Sequence, residues 1–153
     1  PIIISTGMND IISIKKSIKI LKKRKVQYAI LHTTNLYPTK HKEVRLNALT
    51  ELEKKFPGTV IGLSDHTNDN YTSYAAIAMG ASIIEKHFID NSLRKGPDIP
   101  ASVNTKQMIE LIKGVDLIHK AIPGGIKPIL RERKTANFAF ASVVLSVVVV
   151  FHS

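Results

Sequence analysis

Short apolar runs alternate along this chain with longer segments whose apolar residues recur at helical spacing. Each apolar run ends in a polar cluster, and the four runs occupy residues 2–4, 28–31, 60–63 and 82–84. Because a continuous apolar run of this length is typical of a strand buried on both faces, we predict four parallel strands. The segments that follow them predict four helices, over residues 10–23, 44–56, 71–79 and 105–122.

Four strand–helix units predict an α/β fold, because crossovers of this length join parallel neighbouring strands with right-handed connections. Two architectures remain open at this point: an open doubly wound sheet, or part of a (β/α)8 TIM barrel. A whole barrel needs about 200 residues or more, whereas this chain has 153. The first strand is not followed by a G-x-G-x-x-G motif, which removes the main support for a dinucleotide-binding sheet.

Two histidines 21 positions apart follow the third and fourth predicted strands. His66 follows Ser64 and Asp65, and His87 lies two residues after Glu85, so we expect these three polar side chains beside the imidazoles. If the strands are parallel neighbours, both imidazoles emerge at the same edge of the sheet, where α/β folds place their active sites. Imidazole is a ligand for Mn²⁺, Fe²⁺, Co²⁺ or Zn²⁺, so the pair predicts a catalytic metal site. The alternative is that each histidine is a satisfied polar residue that closes a strand.

Three further polar segments carry candidate chemistry. Ser5, with the two residues after it, precedes a predicted helix, where hydroxyls and free backbone N–H groups suit a phosphate or carboxylate; a plain capping turn is the alternative. Asn35 and Tyr37 follow the second strand, and Asn35 could simply hold a turn before Pro38. Asp98 lies in a Gly-Pro-Asp sequence that by itself indicates only a turn.

The composition limits the classes of protein to which this chain can belong. Hydrophobic residues make up 44 % of the chain and charged residues 22 %, as in globular proteins. The chain has no cysteine, which excludes disulfides, thiolate zinc sites and cysteine nucleophiles and is compatible with a reducing cytoplasm, the location we expect.

The net charge of +10 is partly local, because residues 15–25 contain seven basic side chains. Ile14, Ile18 and Leu21 fall at helical spacing between them, so the lysines are predicted to form the solvated face of an amphipathic helix. No aromatic residues interleave with them, so we expect no nucleic-acid partner. The uncharged segment 138–151 is 14 residues long, short for a membrane-spanning helix, and we expect no membrane partner.

Six motifs in this order resemble the bacterial sialic acid synthases, also called N-acetylneuraminate synthases. They are STGM at 5–8, LHTTNLYPT at 31–39, EVRL at 43–46, IGLSDHT at 61–67, IEKHF at 84–88 and GPDI at 96–99. The resemblance implies a (β/α)8 barrel followed by a small antifreeze-like (SAF) domain, assembled as a homodimer. It also implies condensation of phosphoenolpyruvate with N-acetylmannosamine, which gives N-acetylneuraminate and phosphate.

The resemblance also implies a role for each matching residue. His66 and His87 would be the metal ligands, for Mn²⁺ first and Mg²⁺ or Co²⁺ as alternatives, and the metal would polarise the aldehyde oxygen of the open-chain sugar. The methylene carbon of phosphoenolpyruvate would attack that aldehyde, water would add, and phosphate would leave by C–O cleavage. Glu85 would be a catalytic carboxylate that manages protons. The substrate-binding positions are Ser5, Asn35 and Ser64 for phosphoenolpyruvate, and Tyr37 and Asp98 for the sugar.

The chain departs from the family pattern at both ends. We expect residues 1–144 to be the C-terminal half of the barrel domain, without the N-terminal half-barrel or the antifreeze-like domain. Residues 145–153 read as an apolar tail with no family counterpart, as expected from a truncated gene, a frameshift or a sequencing error. We therefore predict little or no activity for this chain alone. The alternatives are a legionaminate or pseudaminate synthase of the same family, or a non-catalytic truncated remnant that self-associates.

Overall fold

A computed structural model describes residues 1–91 and 93–125, so the apolar segment 138–151 and the tail 145–153 lie outside the described residues. Pro1–Ile122 forms one compact unit. Its elements are β1 (Ile2–Ser5), α1 (Ile11–Lys23), β2 (Tyr28–Thr33), α2 (His41–Val44), α3 (Asn47–Lys55), β3 (Val60–Asp65), α4 (Tyr71–Ala78), β4 (Ile83–Lys86), a 3₁₀ turn (Ile99–Ala101) and α5 (Thr105–Ala121). Within the described ranges, no helix has the length and apolar character needed to cross a membrane.

The four strands form one parallel sheet in the order β1-β2-β3-β4. Each strand pairs with the next one in the chain, whereas a doubly wound sheet reverses its strand order at a switch point. The sheet curls into a half-barrel with helices packed on one face. The α/β prediction is therefore confirmed, and of the two architectures the partial TIM barrel is correct.

Alternation along the strands separates an apolar face from a polar one. Ile30, Ile61 and Leu63 belong to a buried core that includes residues of α1 and α3. The opposite face carries Ser64 and Glu85, which are register neighbours of each other on β3 and β4. Since successive residues of a strand point to opposite faces, the fold brings polar side chains to the inner face of the half-barrel near its carboxyl edge.

Several element boundaries differ from the sequence prediction. The helix predicted over residues 44–56 is interrupted, because Arg45 has φ 56°, a left-handed conformation that ends an α-helix. In addition, β3 runs to Asp65 and β4 to Lys86, beyond the predicted apolar runs. The polar side chains at these ends form a hydrogen bond and an ion pair between β3 and β4, so both strands continue through polar residues.

Gly62 in β3 marks a close approach that tolerates no side chain. A Cβ atom added there would lie 2.4 Å from the carbonyl oxygen of Ile83 and 2.5 Å from Cδ2 of Leu31. We expect Gly62→Ala to lower the free energy of unfolding by about 1–3 kcal/mol, through overpacking. Gly96→Ala is the matched control, since its nearest contact would be an ordinary 3.7 Å to Ile99. Equal urea midpoints for the two variants would contradict this prediction.

Candidate active site

The two histidines singled out in the sequence lie side by side at the carboxyl edge of the sheet. The ring centroids of His66 and His87 are 5.2 Å apart, with an angle of 39° between the ring planes. His66 is buried and His87 half-buried. Together with Ser64, Glu85 and Lys86 they line a cavity of about 260 Å³. The structure thus brings the pair together, and its role as a metal site stays a prediction.

The loop after β2 fixes the orientation of His66. Nδ1 of His66 lies 2.8 Å from the carbonyl oxygen of Thr34, and the backbone N–H of Thr39 donates to the carbonyl of His66 at 2.9 Å. The ring of Tyr37 stacks on the imidazole of His66 at a centroid distance of 4.3 Å. A carbonyl only accepts, so Nδ1 carries the proton and Nε2 of the neutral ring keeps a lone pair.

This donor set fits a divalent metal with open coordination positions. His66 offers the Nε2 lone pair, His87 supplies a second imidazole, and the carboxylate of Glu85 lies in the same cavity. Among the residues that the structure describes, no group of three or more His, Cys, Asp or Glu side chains is arranged to hold a metal ion. Two imidazoles alone would leave positions free for oxygen ligands such as water or substrate.

Ser64 holds Glu85 beside the histidines. The hydroxyl of Ser64 donates to Oε1 of Glu85 at 2.6 Å, and because it has one hydrogen, it has none left for Nε2 of His66 at 3.5 Å. Glu85 is exposed to solvent. A carboxylate that is anchored at one oxygen and open to water is well suited to exchange protons with a bound substrate.

Ser5 and Asn35 reach the same edge of the sheet from β1 and the loop after β2. An added Cβ on Gly7 would lie 2.2 Å from Oδ1 of Asn35, so the turn after Ser5 packs directly against the Asn35 side chain. Asp10, rather than Ser5, caps α1 by accepting from the N–H of Ser13 at 2.8 Å. The capping-turn interpretation of residues 5–7 is therefore wrong. Neither Ser5 nor Asn35 lines the cavity around the histidines.

Asp98 and Tyr37, the two predicted sugar-contacting residues, lie in different surroundings. Tyr37 stacks on His66 and meets His87 edge-on, at a centroid distance of 5.7 Å. Asp98 is exposed just before the 3₁₀ turn, where its backbone carbonyl accepts from the hydroxyl of Ser102 at 2.8 Å. The structure brings Tyr37 to the histidine pair and does not place Asp98 in the lining of that cavity.

Asp65 belongs to a different cluster from the one expected. The sequence placed its carboxylate beside the histidines, but it points to the opposite face from Ser64, where Oδ2 lies 3.1 Å from Nζ of Lys86. These two side chains are 0 % and 1 % exposed. Lys86 was not among the predicted site residues, although a lysine that follows an apolar run and alternates with Glu85 is a signal in the sequence for a partner on the opposite face.

The carboxylate of Asp65 is ionised within this cluster. Burial alone raises the pKa of Asp65, but the ammonium of Lys86 lowers it, as do hydrogen bonds from Ser73, Thr67 and Thr72. Together these partners outweigh burial and hold the pKa of the carboxyl below its ordinary value. The contact between Asp65 and Lys86 is thus a buried salt bridge.

His32 lies near the end of β2, but its side chain is buried in the protein interior. It is 4 % exposed, and its Nε2 is hydrogen-bonded to the carbonyl of Val44. Burial lowers the pKa of His32, the bond to Val44 raises it and the charge of Arg45 lowers it, with a net decrease. This neutral ring borders a separate cavity of about 380 Å³ next to α1 and α3, apart from the pair formed by His66 and His87.

Comparison with known proteins agrees with the motif resemblance. The N,N'-diacetyllegionaminic acid synthase of Campylobacter jejuni is 37 % identical over 147 residues, which cover 94 % of this chain and 43 % of that protein. The N-acetylneuraminate-9-phosphate synthase of Homo sapiens is 31 % identical over 137 residues, which cover 90 % of this chain and 38 % of that protein.

Similarity of structure leads to the same family. The N-acetylneuraminic acid (sialic acid) synthetase of Leptospira borgpetersenii, solved with citrate, superposes with a TM-score of 0.79 at 28 % identity, over 91 % of this chain and 49 % of that chain. This chain thus spans less than half the length of each of these relatives. The family model described as NeuB matches residues 1–127. The chain therefore belongs to the NeuB family, as its motifs indicated.

Proposed function

We propose that this chain supplies the metal-binding part of an active site that joins phosphoenolpyruvate to N-acetylmannosamine, giving N-acetylneuraminate and phosphate. The observation that carries the proposal is the contact between His66 and His87, with Glu85 in the same cavity. Membership of the NeuB family supports it, because the relatives are named as synthases of sialic and related sugar acids.

In this proposal, Nε2 of His66 and the imidazole of His87 hold Mn²⁺, with Mg²⁺ or Co²⁺ as substitutes. When bound, the cation supplies a Lewis acid for the carbonyl oxygen of the sugar. Thr34 keeps the proton of His66 on Nδ1 and leaves Nε2 free to bind. Tyr37 covers the ring of His66 and presents its own polar end towards the sugar.

The remaining residues act on phosphoenolpyruvate and on protons. We assign Ser5, Asn35 and Ser64 to binding phosphoenolpyruvate, and Ser64 would do so by turning its hydroxyl hydrogen from Glu85 to the substrate. Its methylene carbon forms the new C–C bond to the sugar aldehyde, water adds to the adjacent carbon, and phosphate leaves with the bridging oxygen. Glu85 handles the proton transfers of these steps, since its carboxylate is exposed and held by Ser64.

A Mn²⁺ titration followed by electron paramagnetic resonance tests the site. We expect His66→Ala and His87→Ala each to weaken binding by on the order of 100-fold or more, because losing even an outer-shell partner costs 10–100-fold. His119→Ala, on an exposed position of α5, is the control and should bind like the wild type. Unchanged affinity in both site variants would refute the assignment.

A second candidate sugar has its own support. The relative with 37 % identity is named as an N,N'-diacetyllegionaminic acid synthase, which favours a diacetamido hexose as the acceptor in place of N-acetylmannosamine. Saturation-transfer NMR on the Mg²⁺-loaded chain, with both sugars in competition, separates the two. Displacement of the diacetamido sugar by N-acetylmannosamine supports the first proposal, and the reverse order supports the second.

A further inference from the structure

A buried cluster behind the sheet joins the two strand ends that carry the histidines. Asp65 directly precedes His66, Lys86 directly precedes His87, and Asp65 and Lys86 are register neighbours on β3 and β4. Because consecutive strand residues point to opposite faces, the ion pair lies on the helix side of the sheet, directly behind the histidine pair.

Lys86 contacts the residues on both sides of His66. Its Nζ lies 3.1 Å from Oδ2 of Asp65, 2.9 Å from the carbonyl oxygen of Thr67 and 3.4 Å from Oγ1 of Thr67. A single ammonium group from β4 therefore holds the side chain of Asp65 before the first histidine and the backbone carbonyl of Thr67 after it. Any sliding of one strand end past the other would break these contacts.

Asp65 extends the cluster to the following helix. Its Oδ1 accepts from the backbone N–H of Thr67 at 2.9 Å, which turns the chain at His66. Its Oδ2 accepts from the hydroxyls of Thr72 at 2.7 Å and Ser73 at 2.6 Å, both in the first turn of α4. One carboxylate thus fixes β3, the turn after it and α4 to one another.

From these contacts we propose that the Asp65–Lys86 pair is a positioning device that sets the separation of the imidazoles of His66 and His87. A buried ion pair is often no more stabilising than well-packed apolar residues, so stability alone does not account for one at this place. Its contacts define a geometry instead. This inference rests on the proposed function, because the separation of the two imidazoles matters when both rings bind one metal.

The double variant Asp65→Asn/Lys86→Met tests the proposal, since it removes both charges and leaves neither one buried alone. Lys86→Arg is the conservative companion, which keeps the charge but cannot reproduce the point contact of an ammonium with Thr67. Two measurements apply to each: nuclear Overhauser effects between the two imidazole rings in the metal-free 153-residue chain, and Mn²⁺ affinity at a temperature at which every variant is folded.

We expect the inter-ring effect to be weakened in Lys86→Arg and lost in the double variant. Mn²⁺ affinity should fall by roughly 3-fold to 10-fold in Lys86→Arg. In the double variant it should fall by about 10–100-fold, as for other residues that orient metal ligands. If the double variant does not fold, Lys86→Arg decides. Wild-type ring contacts and wild-type affinity in a folded variant would overturn the proposal, even if its melting temperature were lower.

The two measurements separate this inference from the proposed function. If the wild type binds no Mn²⁺ but shows inter-ring effects that the variants lose, the metal site fails while the positioning role stands. If the wild type binds Mn²⁺ through both histidines and the variants match it, the metal site stands and the positioning role fails.

Discussion

Replacing Lys86 with methionine is expected to lower the free energy of unfolding by about 3–5 kcal/mol, the usual result of removing one partner from a buried ion pair. Methionine matches the length of the lysine stem but leaves the carboxylate of Asp65 without its counter-charge, in a position where its side chain is 0 % exposed. Urea unfolding at neutral pH measures the loss. The double variant Asp65→Asn/Lys86→Met should recover much of it, because neither charge then remains.

The pH dependence of this destabilisation gives a sharper test. In the wild type the pKa of Asp65 is depressed, so its contribution is present above about pH 4 and declines as the pH falls further. Without Lys86, one of the influences that lower the pKa is gone while burial remains, so the pKa of Asp65 in the folded variant lies above its wild-type value. The folded variant then takes up a proton at a higher pH than the folded wild type, so the deficit of Lys86→Met should shrink on acidification. A deficit that does not change with pH would show that Asp65 is not the cause.

The 153-residue chain by itself is expected to turn over phosphoenolpyruvate and N-acetylmannosamine at least about 10⁴-fold more slowly than a typical enzyme. Positioning two reactants is worth effective molarities of 10⁵–10⁸ M when the geometry is complete. Among the described residues that line the cavity, the one lysine or arginine is Lys86, and its ammonium lies on the other face of the sheet, buried against Asp65. Phosphoenolpyruvate carries several negative charges, and these lining residues offer them no free ammonium or guanidinium group.

Phosphate release with Mn²⁺ and both substrates measures this activity. The matching Mn²⁺ titration should show that the metal site is formed in the same sample, which separates an incomplete pocket from an unfolded protein. Turnover faster than about 10⁻³ s⁻¹, which is 10⁴-fold below the roughly 10 s⁻¹ typical of enzymes, would contradict the prediction.

The sequence predicted the fold and the meeting of the two histidines, because both follow from rules that act along the chain. Parallel strands joined by helices place their carboxyl ends together, and His66 and His87 each follow directly on such a strand. The strands do not end where their apolar runs end, however. Hydrogen bonds across the sheet instead continue β3 to Asp65 and β4 to Lys86.

The surroundings of His66 could not be predicted in the same way. Thr34 and Tyr37 reach His66 from a loop about 30 residues earlier in the chain, and no local spacing encodes such a contact. The two-residue period of a strand, by contrast, did contain the information that Ser64 and Asp65 face opposite ways. Counting that period from Ser64 separates Ser64 and Glu85, on the inner face, from the buried pair of Asp65 and Lys86.

The alternation of charge along β4 favours one register for the pairing of β3 with β4. Glu85 and Lys86 carry opposite charges on opposite faces, and only the observed register sets Lys86 against Asp65. A slip of one residue would flip β4 and bring the carboxylate of Glu85 into the buried side next to that of Asp65. Two like charges would then face each other away from water. A misaligned sheet is thereby rejected during folding, before any substrate or metal is involved.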